Sequence, residues 1–147
     1  MRRILFALAA FALALPLGAA ESPDAVYAKY HGAVAGGNVE AMMRYSTEAR
    51  RAEIGALSPA QKISSVKMID SIMPASYKVL SKTVYPDSGI ARVYVSGKAK
   101  SAIEGKPGTL YGVVRLLMQN GEWKVDSVQW SNLNSDVPSQ APISTAK

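Results

Sequence analysis

The sequence predicts an α+β fold in which N-terminal helices pack on a curved four-stranded antiparallel sheet, and three observations carry that prediction. The spacing of apolar residues is helical up to about Pro74 and alternates from Tyr77 onward. Two apolar runs, centred on LYGVVRLLM and WKVDSVQW, meet at Asn120-Gly121. That dipeptide suits a two-residue type I′ turn, whose central residues both need positive φ, so the stretch reads as a β-hairpin. The second run then changes phase: Trp123 and Val125 share one parity, Val128 and Trp130 the other. One extra residue at Asp126-Ser127, a β-bulge, returns all four to one face and bends the strand.

Taken in order, residues 1–20 have the parts of a secretory signal peptide. Arg2-Arg3 is a charged start, Ile4 to Leu15 an apolar stretch, Pro16 a break, and Gly18-Ala19-Ala20 a small-residue site before Glu21. The apolar run is shorter than the roughly 20 residues a spanning helix needs, so cleavage after Ala20 is expected and no membrane span remains. The product would be secreted, periplasmic in a Gram-negative source. Residues 21–132 form the expected single domain, and 133–147, rich in Ser, Pro and Asn without periodicity, a flexible tail.

Ser22-Pro23-Asp24 is a helix start, with a serine cap, proline at the first helical position and an acid complementing the dipole. Val26, Tyr27, Tyr30 and Val34 follow at helical spacing until Gly36-Gly37 stops the helix. Asn38 caps a short second helix carrying Val39, Met42, Met43 and Tyr45. Residues 47–57 continue helical with Ile54 and Leu57 inward. Ser58-Pro59-Ala60-Gln61 is a capping box, opening a helix whose inward stripe is Ile63, Val66, Ile69 and Met73. Tyr77 to Tyr85 and Ile90 to Lys98 are strands joined by Pro86-Asp87-Ser88-Gly89, in which proline presets φ and glycine leaves the turn. In the hairpin, Gln119 faces Glu122 and Leu116 faces Val125. Past the bulge, Val128 lies opposite Val114 and Trp130 covers Gly112. Leu110, Gly112, Val114, Leu116, Met118, Trp123, Val125, Val128 and Trp130 then make one core face, leaving Tyr111, Arg115, Lys124 and Gln129 outside.

Composition narrows the function. The formal charge of +6 loses two with Arg2 and Arg3, and the remaining Lys and Arg are scattered apart from Arg50-Arg51, unlike a nucleic-acid footprint. With no cysteine and one histidine, neither a disulfide framework nor a metal site is expected. There is no glycine-rich phosphate loop, and no cofactor is indicated.

The helical opening SPDAVYAKYHGAVAGGNVEAMMRYS and the closing NGEWKVDSVQW, with three helices before a four-stranded meander, resemble the nuclear transport factor 2-like superfamily, also called the cystatin-like α+β cone. The likeness covers residues 22–132. It implies a cavity between helices and sheet, and members range from isomerases, dehydratases and hydrolases to transport adaptors and small exported domains; the fold alone does not choose among them. Enzymes of the family place ionisable side chains inside the cone, and many members pair through the outer sheet face.

Two residues are candidates for such catalysis. His31, one turn after Tyr27, is either a general base at the cone mouth or a boundary residue touching solvent, and no carboxylate at helical spacing is available to orient it. Asp126 is either re-aimed by the bulge or paired with Arg115 across the strands on the outer face. Tyr27, Tyr30, Met42, Met43, Tyr45, Met68 and Met73 give the helices a soft inner lining suited either to core packing or to a small apolar ligand. The favoured expectation is a non-enzymatic exported module that binds a small apolar molecule or a protein partner and pairs weakly through Tyr111, Val113 and Leu117. A small enzyme using His31 or Asp126 is the alternative.

Overall fold

A computed structural model describes residues 20–101 and 108–132. Four helices come first: α1 (Pro23–Ala35), α2 (Val39–Tyr45), α3 (Glu48–Gly55) and α4 (Pro59–Ile72). Their starts follow side-chain chemistry. Ser22 Oγ accepts from the amide of Ala25 at 3.4 Å, and Asn38 Oδ1 from that of Ala41 at 2.9 Å. Ser58 and Gln61 form the full reciprocal capping box. Gly37, at φ 66°, turns the chain from α1 into α2.

Strands β1 (Tyr77–Tyr85), β2 (Ile90–Lys98), β3 (Thr109–Gln119) and β4 (Glu122–Ser131) form one antiparallel sheet in the order β1-β2-β3-β4. A 3₁₀ turn, Pro86–Ser88, joins β1 to β2, and Gly89 leaves it at φ 61°. Asn120 and Gly121 close β3 to β4 at φ 53° and 80°, as a type I′ turn requires. From Gln119↔Glu122 to Leu116↔Val125 the pairing is the expected one; then Arg115 pairs with Ser127, so Asp126 is the extra residue. Val114↔Val128 and Gly112↔Trp130 follow. The ring of Trp130 lies so close over Gly112 that a Cβ there would come within 2.7 Å of it, which is why this position has no side chain. A second irregularity, at Leu80, interrupts β1 between Val79 and Ser81.

One face of the sheet carries Ala91, Val93, Val95, Val114, Leu116, Trp123 and Val125 into a core with Tyr27, Tyr30, Val34 and Met42 from the helices. Three inward assignments fail. Ile63 is exposed, because on a helical wheel it lies about 120° from Ile69 and outside the arc that Val66, Ile69 and Met73 bury. Met68, about 160° from Val66, is 68% exposed. Met118 has the core parity yet is exposed, one pair from the hairpin turn and beside Gly89, whose carbonyl accepts its amide at 2.8 Å. No helix among the described residues is long and apolar enough to cross a membrane. The expected leader, up to Ala19, and the tail from 133 lie outside the described residues.

Candidate functional site

Helix α1 places Tyr27, Tyr30 and Val34 along one buried line, since residues three and four apart share a face. The two tyrosine rings stack at 6.3 Å between centroids, and Tyr77, from the start of β1, reaches Tyr27 at 5.0 Å. Tyr27 is fully buried, and its hydroxyl has no hydrogen-bond partner among the described residues. Burial first, then the neighbouring Tyr77 and Tyr30, keep that hydroxyl protonated far above its usual range. Burial likewise raises Tyr30, opposed by Arg50, whose Nη2 donates to the Tyr30 hydroxyl at 3.4 Å. Met42 and Met73 are fully buried in the same core, while Met43 and Tyr45 are half-buried against it. Met68, exposed on α4, is not part of this lining.

Of the two readings the sequence left open for His31, the boundary residue touching solvent does not describe where it lies. It is only 8% exposed, because it lies about 40° from Tyr27 on the helical wheel and the chain returning from α4 covers it. Its Nε2–H donates to the carbonyl of Pro74 at 2.9 Å, and its ring meets Tyr77 edge-on at 4.8 Å. Pro74 and Ser76 also press on Gly97 of β2, where a Cβ would come within 2.7 Å of the proline ring. The histidine thus pins the segment that leads into β1 against the sheet end.

Asp126 projects from the bulge toward the sheet edge. Its Oδ2 accepts from Arg115 Nη1 at 2.8 Å, which is the expected ion pair even though Arg115 pairs by backbone with Ser127. Its Oδ1 lies 3.5 Å from the Thr47 hydroxyl, and its backbone carbonyl accepts from Arg50 Nη1 at 3.1 Å. Through Thr47 and Arg50 this acid ties the α2–α3 corner to β4, and through Arg115 it ties β4 to β3.

Among the described residues, space for a ligand lies at two clefts rather than among the buried rings. One, of about 320 Å³, is bounded by Glu21, Val26, Arg44, Tyr45, Trp123 and Lys124. Its charges are largely matched: Glu21 pairs with Lys29 at 2.7 Å and Lys124 with Glu122 at 2.7 Å. The other, of about 550 Å³, is an open groove where β1 begins and β2 ends, lined by Tyr77, Lys78, Leu80, Ser96, Lys98 and Tyr111 among others. Among the described residues no group of three or more His, Asp or Glu is placed to hold a metal ion.

No family model matches the chain, and no curated protein matches it. Solved structures do. A SEC-C motif containing protein from Rhodopseudomonas palustris superposes with a TM-score of 0.54 at 12% identity, over 74% of this chain and 77% of that one. Rd1NTF2_05, in a variant with five substitutions, superposes with a TM-score of 0.50 at 8% identity, over 74% of this chain and 95% of the other. The fold is nuclear transport factor 2-like. At such identities the likeness concerns the backbone architecture alone.

Within this nuclear transport factor 2-like fold, the expected lining divides in two. Tyr27, Tyr30, Met42 and Met73 form the packed interior with Met43 against it, Met68 lies outside, and among the described residues Tyr45 alone of the seven borders a cleft. The groove residues Tyr77, Leu80 and Tyr111 were legible as strand positions but not as a group, because β1, β2 and β3 bring them together across separations that periodicity does not encode.

Proposed function

We propose that this protein is an exported, non-enzymatic binding module whose ligand enters the open groove between the ends of β1, β2 and β3. The observation that carries the reading is the composition of the 550 Å³ groove, which sets the apolar Leu80 and the Tyr111 ring beside Ser96, Lys78 and Lys98 at one end of the sheet. The volume falls within the roughly 300–1,000 Å³ typical of small-molecule sites. Support for binding over catalysis comes from the two candidate residues themselves, since the His31 Nε2–H is committed to Pro74 and Asp126 to Arg115 and Thr47. The outer face, with half-buried Val113 and Leu117 on either side of the Arg92–Arg115 cross-strand pair, is the surface on which a weak homodimer would form.

Fluorescence titration with Nile red, an uncharged apolar dye, tests the site. Enhancement that saturates and is lost in Tyr111→Ala, at an unchanged thermal midpoint, is the expected outcome; a wild-type protein that leaves the dye dark removes the groove reading. N-terminal sequencing of secreted material should begin at Glu21. Sedimentation at high concentration should detect a dimer that Leu117→Lys dissolves.

A further inference from the structure

We infer that the groove selects an amphipathic acid, with its apolar body against Leu80 and Tyr111 and its anionic head between Lys78 and Lys98. The inference rests on the binding reading above and narrows its ligand class. Lys78 is opposite Ser96 in the β1–β2 register, and Lys98 lies two residues beyond Ser96 on the same face. Such diagonal neighbours have Cβ atoms about 7–8 Å apart, close enough for two ammonium groups to share one anion.

The two lysines stand between neighbours that are paired. On β1, Lys82 is matched by Asp24 at 2.6 Å; just past β2, Lys100 is matched by Asp70. Lys78 and Lys98, between them, have no ion pair among the described residues, and no acidic residue lines the described part of the groove. Two like charges on one sheet face repel, so their placement is unfavourable until a counter-charge arrives. Ser96, 4% exposed, stands in register between them and adds a hydroxyl to the same spot. The smaller cleft offers the contrast, because acids line it and both are paired, Glu21 with Lys29 and Glu122 with Lys124. The groove floor is also built rather than incidental: Gly97 admits Pro74 and Ser76 against β2, and His31 holds the Pro74 carbonyl.

The test compares decanoate with decanol, which share an apolar chain and differ in the head, by calorimetric titration of the purified protein at low ionic strength. Decanoate should bind about tenfold more tightly than decanol, and that preference should shrink as salt is raised, because solvent-exposed charges are screened. In the Lys78→Gln/Lys98→Gln double variant the two probes should bind within about twofold of each other, while decanol affinity stays at its wild-type value. Equal affinity of wild type for both probes would overturn the acid-head inference and leave the groove reading standing. Failure of both probes to bind overturns both. A decanoate preference that survives the double substitution puts the anion elsewhere and overturns the inference.

Discussion

The two margins of the sheet solve the same problem by opposite means. Beyond β4 the chain itself closes the edge: Ser46 bridges Val125, the Thr47 amide donates to the Val125 carbonyl at 3.0 Å, and the α2–α3 corner is clamped to the bulge through Arg50, Thr47 and Asp126. At the other margin no described strand pairs beyond β1, and Val79, Leu80, Val84 and Tyr85 are exposed. An exposed apolar edge invites pairing with another chain, and β1 carries the usual deterrents, Lys78 and Lys82 on the strand and an irregularity at Leu80. One margin is made safe by covering, the other by charge and distortion. The covered margin is where the fold is specified; the charged margin borders the groove, where ligand and solvent need access.

The largest expected effect breaks the covered margin. Deleting Asp126 removes the extra residue, so Ser127 to Ser131 slip by one and Val128 and Trp130 turn to the outer face. The loss of their burial, with Trp130 taken off Gly112, should cost about 4 kcal/mol or more, an amount that leaves little soluble protein. Denaturant titration checks it, and a deletion variant of near-normal midpoint would show that the bulge does not set the register. Asp126→Ala keeps the extra residue and removes only the carboxylate. It should cost about 1–2 kcal/mol, because Arg115 and Thr47 lose a charge-assisted partner at a half-buried position while the backbone bond to Arg50 persists. Deletion and truncation therefore separate the geometry of the bulge from its chemistry.

The charged margin should respond in solution behaviour more than in stability. Replacing Lys78 and Lys82 together by Val should change unfolding free energy by no more than roughly 1 kcal/mol, since both side chains are exposed, yet it removes the edge deterrent. Concentration-dependent light scattering should rise in this variant and not in Lys→Gln controls. A monodisperse Val variant would mean that the Leu80 irregularity alone protects the edge.

The contrast also explains what the sequence did and did not reveal. Strand limits were legible because Pro86, Gly89 and Asn120-Gly121 punctuate them locally, and the bulge because a phase change in four residues is itself a local signal. The burial of His31 was illegible because its cover, Pro74 and Tyr77, arrives from 43 or more residues away. Ile63 and Met118 were misjudged because parity and helical phase say which way a residue points and not how far the opposing layer extends. The groove was illegible for the same reason: its lysines are ordinary surface residues until the register sets them on one face.

The smallest effect belongs to the Lys82–Asp24 pair, which ties β1 to the first turn of α1 across the open margin. The hydrogen bond from Lys82 is the main cause holding the Asp24 carboxyl below its ordinary value. A carboxylate whose folded pKa is depressed binds its proton more weakly in the native state, so it contributes stability above the unfolded value of about 3.9 and loses it as pH falls through the folded one. Both side chains are more than a third exposed or close to it, which screens the pair to a few tenths of a kcal/mol. Lys82→Met should therefore lower stability by about that much at pH 7, and the gap from wild type should close as the solution is taken from about pH 5 to pH 2. A gap that stays constant over that range would mean that Lys82 acts through packing of its aliphatic stem against α1 instead of through charge. The loosely held margin would then be fastened to the helix layer by contact, as the covered margin is at Thr47, and the difference between the two edges would be one of degree.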